Sequence, residues 1–231
     1  MLLHQTLEKL AQMRLFGLLA AFKEQMESPR YQDLSFEERF GLLVDSEFIQ
    51  RENRRLQTRL REAMVKVPAD PEDVDFQTPR GLKKSFFLEL SGCTWLTQGH
   101  NLIITGPTGV GKTYLASALA RQACRQGYRS AYYHFPEIIT KLSLTKADGS
   151  YPSLVTNLAK RHLLVVADWL RDPLTPDQSC LVLDLLEDRY RRHSTLLTSQ
   201  LPVAAWHKQF KDDTIADAIL DRLVYDSYRL E

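Results

Sequence analysis

The sequence predicts an α/β protein in which a parallel sheet is flanked by helices and preceded by a small all-helical domain. Three observations carry that expectation. From residue 82 onward, short apolar runs of strand length alternate with runs of helical spacing, the pattern of repeated βαβ units. A glycine-rich loop joins one such strand to one such helix. Before residue 67 no strand-like run occurs, and apolar residues recur every three or four positions.

The helical part begins with Leu3, Leu7, Leu10 and Met13, continues with Leu15, Leu18, Leu19 and Phe22, and closes at Pro29. Ser35-Phe-Glu-Glu38 has the form of a capping box opening a second helix through Phe40, Leu42, Leu43 and Phe48. Residues 67–81 are rich in Pro and Asp and read as a linker. The expected domains are therefore 1–66, a helical N-terminal domain for assembly, DNA or a partner, and 82–231. Within the second, the predicted strands are Asn101–Thr105, Ser130–Phe135, Leu163–Ala167 and Ser194–Ser199. The predicted helices are Leu82–Leu90, Lys112–Gln126, Pro136–Leu142, Tyr151–Lys160, Pro176–Arg192, Pro202–Gln209 and Ile215–Val224, with an exposed loop from Lys141 to Ser150.

With 231 residues, 44% of them hydrophobic, the chain can build a real core. Its 30 basic and 29 acidic residues nearly balance, so net charge alone names no nucleic-acid partner. The three cysteines are widely spaced and fit neither a metal site nor a disulfide framework. No apolar run reaches the ~18 residues of a membrane span, and the N-terminus lacks signal-peptide features, so a soluble, cytoplasmic protein is expected.

Gly106-Pro107-Thr108-Gly109-Val110-Gly111-Lys112-Thr113 matches G-x-x-x-x-G-K-[ST] in full, between a strand and a helix. Backbone amides of such a loop wrap a phosphate at a helix N-terminus, where the dipole favours an anion. Lys112 is expected to reach the β- and γ-phosphates of ATP, and the Thr113 hydroxyl to ligate Mg²⁺. Tyr114, directly after, joins the nucleotide-contact set.

The apolar strand Leu163–Ala167 ends in Asp168, the expected acid for metal or water. Two alignments stay open. Asp168 takes the second acidic position and Ala167 stands where the Mg²⁺ carboxylate belongs, or Asp168 is itself the metal-side acid. The first is preferred, because a one-residue slip turns a side chain to the other face. Thr198, Ser199 and Gln200 end a further strand and can meet a γ-phosphate or attacking water. Arg222, in Asp217-Ala-Ile-Leu-Asp-Arg-Leu223, is a salt-bridge residue or a finger reaching a neighbouring subunit. Arg51, Arg54, Arg55, Arg59 and Arg61 crowd one short helix and can neutralise several phosphates. Lys83, Lys84, Arg189, Arg191 and Arg192 are candidates to extend that basic surface.

Nearly the whole chain resembles the insertion-sequence helper ATPases of the IstB type, AAA+ P-loop proteins related to bacterial helicase loaders and replication initiators. The resemblance lies in Glu52-Asn-Arg-Arg55 with Arg59 and Leu60, Asp73-Val-Asp-Phe76, Gly106–Thr113, and Glu187-Asp-Arg-Tyr190 with Arg191 and Arg192. It continues through Ser194-Thr-Leu-Leu-Thr-Ser-Gln-Leu-Pro202, Trp206-His207 and Asp217–Leu223. It implies an ATP- and Mg²⁺-dependent protein that assembles as a homo-oligomer on duplex DNA, deforms it and stimulates a cognate transposase. Ser199 then resembles the sensor and Arg222 the trans arginine finger, with Tyr190-Arg191-Arg192 a second source of a trans cation. The family pattern has two acids, an aromatic and a glycine where this chain has Ala167-Asp168-Trp169-Leu170. That departure bears on hydrolysis rather than binding. It leaves a non-hydrolysing scaffold, and separately a helicase loader, as alternatives.

Overall fold

A computed structural model describes residues 2–78 and 81–231; Met1, and Pro79 and Arg80 of the expected linker, lie outside the described residues. The chain forms two compact units, Met1–Thr58 and Arg59–Glu231. No helix among the described residues is long and apolar enough to cross a membrane.

The first unit contains α1 (Leu2–Gln12), α2 (Phe16–Glu27) and most of α3 (Phe36–Ala63). The capping box at its start is present. The Glu38 amide donates to Ser35 Oγ at 3.2 Å, and the Ser35 amide to the Glu38 carboxylate at 2.8 Å. No side chain from Leu15 caps α2. Glu47 of α3 does so instead, accepting from the Gly17 and Leu18 amides at 2.8 and 3.1 Å and from Arg51 at 2.7 Å. The close approach needs Gly17, since a Cβ there would lie 2.6 Å from the Ser46 carbonyl oxygen. Burial pushes the Glu47 carboxyl up, but the Arg51 and amide hydrogen bonds outweigh it and hold the group below its ordinary value.

The second unit holds α4 (Lys84–Ser91), α5 (Thr94–Thr97), β1 (Asn101–Thr105), α6 (Lys112–Arg125), β2 (Ser130–His134) and α7 (Phe135–Asp148). It continues with α8 (Tyr151–Ala159), β3 (Leu163–Ala167), α9 (Pro176–Arg189), β4 (Ser194–Ser199), α10 (Asp213–Val224) and β5 (Ser227–Leu230). The strands form one sheet in the order β2-β3-β4-β1-β5, every pair parallel. Alternate residues bury opposite faces. Ile103, Leu164, Val166 and Leu197 pack with α7, α8, α9 and α10. Leu102, Ile104, Val165, Ala167 and Leu196 pack with α4, α5 and α6.

Four features differ from the expectation. The segment 141–148 is helix rather than loop, because Leu142 is fully buried and carries α7 on to Gly149, whose φ of 80° ends it. Residues 202–209 form two 3₁₀ turns, at Val203–Ala205 and His207–Gln209, rather than a helix. Strand β5 was not anticipated. The compact units divide inside α3 and not at 67–81, where Ala69 and Val74 are buried in the sheet unit. Asp70 holds that segment down through Arg121 at 2.8 Å and Arg125 at 2.9 Å.

Candidate nucleotide site

The phosphate loop leaves the C-terminal end of β1 and enters α6. Gly109 and Gly111 have φ of 88° and 97°, a left-handed geometry that side chains resist. No atom lies within 4 Å of where a Gly109 Cβ would stand, so the loop is open on that side. Lys112 opens α6 and folds back, its ammonium donating to the Gly106 and Pro107 carbonyls at 2.7 and 2.8 Å. Burial pushes the Lys112 pKa down, while the charge of Asp168 works the other way. Beside the loop lies a cavity of about 310 Å³, walled by Val74, Leu82, Ile104, Tyr114, Leu115 and Leu230, with Asp73 and Asp75 on its lining. Its size and apolar walls suit a nucleoside.

β4 lies between β1 and β3, so Ser199 at its end stands between the phosphate loop and Asp168. Ala167 ends β3 fully buried on the α6 face of the sheet. Asp168 follows at φ 58°, its amide donating to Thr198 Oγ at 3.3 Å and its carboxylate 2.9 Å from His134 Nδ1 at the end of β2. Burial pushes the nearby Tyr132 phenol up to about 12, the Asp168 charge adding to it. Mg²⁺ needs only one or two protein oxygens beside phosphates and water. The Thr113 and Asp168 side chains carry such oxygens; the Ala167 side chain carries none.

Ser199 pairs with Thr105, and its carbonyl accepts from the Gly106 amide at 3.2 Å. Its hydroxyl donates to the Trp169 carbonyl at 2.9 Å and accepts from the Leu201 amide at 3.1 Å. Gln200, next to it, is exposed.

Arg222 is brought nowhere near its own phosphate loop. Its carbonyl accepts from Asn101, at the start of β1, about 13 Å of strand from the end that bears the loop. The guanidinium donates to the Ala218 carbonyl at 2.6 Å, pairs with Glu187 and lies over the Tyr190 ring. Most of the predicted DNA-contacting arginines have partners within the chain. Arg51 binds Glu47, Arg55 binds Glu52 at 2.6 Å, and Arg54 covers the Phe16 ring. Arg59 caps the end of α6, donating to the Cys124 carbonyl at 2.9 Å. Arg61 is exposed, but Arg189, expected on the basic surface, is buried.

Sequence reasoning passed over His134 and the wall from Asp73 to Asp75. Asp73-Val-Asp-Phe76 was visible in the resemblance but carried no role. His134 had no motif; only the pairing of β2 with β3 sets it beside Asp168.

A glycine-rich phosphate loop on a parallel sheet in this strand order defines a P-loop protein of the AAA+ class. The chain belongs to the family of IstB-like ATP-binding proteins, whose model matches residues 8–231. It is 43% identical to an insertion-sequence ATP-binding protein of Sinorhizobium fredii, over all of this chain and 94% of that one. A counterpart in Pseudomonas fluorescens is 40% identical, over 87% of this chain and 88% of its own length. Among solved structures, DnaI is similar with a TM-score of 0.61 at 20% identity, covering 76% of this chain and 93% of that one. The DnaC helicase loader gives 0.57 at 18%, covering 71% and 97%. These last two likenesses concern the fold.

Proposed function

We propose that this chain is an ATP-dependent DNA-binding helper of transposition. It assembles on duplex DNA with ATP, deforms the target, and recruits and stimulates a transposase. The observation that carries the reading is the open phosphate loop with Lys112 beside the 310 Å³ cavity, in a chain matched along its length by insertion-sequence ATP-binding proteins.

In this reading the base enters the cavity against Val74 and Tyr114, and the loop amides from Gly106 to Thr113 hold the phosphates. The Lys112 ammonium leaves the Gly106 and Pro107 carbonyls for phosphate oxygens. Thr113, with Asp168 in the alternative alignment, would hold Mg²⁺, which would supply neutralisation of charge on the phosphates. Asp168 orients the attacking water, and His134 fixes the Asp168 carboxylate. Ser199 couples the Trp169 turn to the phosphate loop. Arg222, remote from its own loop, reaches the site of a neighbouring subunit after leaving Glu187. ATP thereby favours assembly, and assembly multiplies the DNA contacts.

Turnover of ATP with and without long duplex DNA, for the wild-type chain and Ala167→Asp, tests this. DNA-stimulated turnover is expected in Ala167→Asp. Equal turnover in the wild type makes Asp168 sufficient as the acid. ATP binding and assembly without turnover in the wild type alone makes it a protein held before hydrolysis. Silence in both chains overturns the hydrolytic part of the reading.

A further inference from the structure

We propose that the edge of the sheet where its strands begin, opposite the phosphate loop, docks the phosphate backbone of duplex DNA. The inference rests on the DNA-binding reading above and assigns it a surface on the sheet unit.

Because every strand pair is parallel, the segments preceding the strands lie along one edge. Those segments are basic. Arg129 precedes β2, Lys160-Arg-His162 precedes β3, and Arg191-Arg-His193 precedes β4. The structure ties them side by side. The Arg129 amide donates to His162 Nδ1 at 3.0 Å, and the His162 and His193 rings meet edge-on at 5.4 Å. The Arg191 backbone packs against Gly99, just before β1; a Cβ on Gly99 would meet the Arg191 carbonyl carbon at 3.1 Å. Three adjacent strands, β2, β3 and β4, thus make a basic front of about 10 Å, at ~4.8 Å per strand, and Gly99 brings the start of β1 against it.

Arg129, Lys160, Arg191 and Arg192 are exposed. Cations at this edge have an ordinary structural use, because helices of a parallel α/β unit end there and their carbonyls attract positive charge. That use is already met by other residues. Buried Arg189 donates to the Leu158 and Arg161 carbonyls, at 2.7 and 2.8 Å, closing the end of α8. Arg59 closes α6. The exposed cations are therefore in excess of the fold's needs.

Carboxylates neutralise only part of this set: Arg161 pairs with Glu62 at 2.7 Å and Arg191 with Asp226 at 3.8 Å. Among the described residues, Arg129, Lys160 and Arg192 have no ion-pair partner. Both histidines are pushed down, first by burial and then by Arg129 and Arg189 at His162 and by Arg189, His162 and Arg192 at His193. Arg61 and Arg129 both act on Glu62, so the C-terminal turn of α3 joins the same positive field. A cavity at this edge, lined by Gly99, Arg189 and Arg191, is about 10 Å³, room for a single water and not for a base or nucleotide. A row of exposed cations beside so small a cavity fits a row of phosphates, read by charge and not by sequence.

The test is binding of the full chain to a fluorescent random-sequence duplex across a salt series, with a non-hydrolysable ATP analogue present. The wild type is compared with the triple variant Arg129→Ala, Lys160→Ala, Arg192→Ala. Losing three phosphate contacts is expected to reduce the slope of log K against log salt by about 2 to 3. Nucleotide affinity and the urea midpoint serve as folding controls and are expected to stay unchanged. A wild type that binds DNA with a slope the variant shares overturns this surface and leaves the DNA-binding reading standing. A wild type that binds no duplex overturns both.

Discussion

At the scale of single residues, the turn after β3 is the place where this chain departs from the pattern that the sequence resemblance implies. Ala167 is sealed in the core, and Asp168 and Leu170 sit at φ of 58° and 52°. The resemblance implies a glycine at the position of Leu170, and the backbone there has the left-handed form that glycine favours. Leu170 tolerates it because its side chain is fully buried among Phe135, Trp169 and their neighbours, a gain that offsets strain of about 1–2 kcal/mol. Asp168 is fixed from two sides, by Thr198 and by His134. If it orients water, His134 is a positioning residue, because it acts through its 2.9 Å contact with the Asp168 carboxylate. In the Ala167→Asp chain, His134→Ala is then expected to lower kcat by about 10–100-fold with KM for ATP unchanged. His134→Asn, whose amide still donates to the carboxylate, should recover much of the loss. A rise in KM matching the fall in kcat, or no rescue by Asn, would place His134 in the fold alone.

At the scale of elements, the join of α2 to α3 makes the most direct demand on two residues. Gly17 admits the α3 backbone, and Glu47 caps α2 in place of an ordinary N-cap residue. Glu47 is held below its ordinary value of 4.5, so the folded state binds fewer protons than the unfolded one near that pH. Its stabilisation is therefore full above 4.5 and is lost as pH falls through the lower folded value. Urea midpoints of wild type and Glu47→Gln should differ most near neutrality and converge in acid. A constant gap across the range would remove Glu47 from the acid response. This join illustrates what sequence withholds. Ser35 and Glu38 declare a capping box because both partners sit within one turn, whereas Gly17 and Glu47 are 30 positions apart. The same limit hid β5, a four-residue edge strand that pairs with β1 from the far end of the chain. It also hid the helical end of α7, where polar composition outweighed Leu142. The phosphate loop, the strands β1 to β4 and the helices between them were legible because their periodicity and spacing are local. The bond between His134 and Asp168, and the burial of Arg189, exist only once β2, β3 and β4 are adjacent.

At the scale of the whole molecule, the open question is where the nucleotide-binding body begins. The Pro/Asp-rich run suggests a body starting at residue 82, whereas the compact unit starts at Arg59. The segment between them carries the cavity wall at Asp73, Val74 and Asp75, fully buried Ala63 and Ala69, and Asp70. The Arg121 hydrogen bond, ahead of the opposing effect of burial, holds the Asp70 carboxyl below its ordinary range, the mark of an ion pair that stabilises the fold at neutral pH. A fragment of residues 59–231 is therefore expected to fold cooperatively and to bind a fluorescent ATP analogue like the full chain. A fragment of residues 82–231 lacks that wall and exposes the apolar surface under Ala69 and Val74. It should bind the analogue at least about tenfold more weakly, the equivalent of ~1.4 kcal/mol, and unfold at lower urea. Equal binding by the two fragments would make the 67–81 run a true linker and move the base out of the cavity beside Val74. Failure of the 59–231 fragment alone to fold would show that residues before Arg59 are part of the nucleotide-binding body.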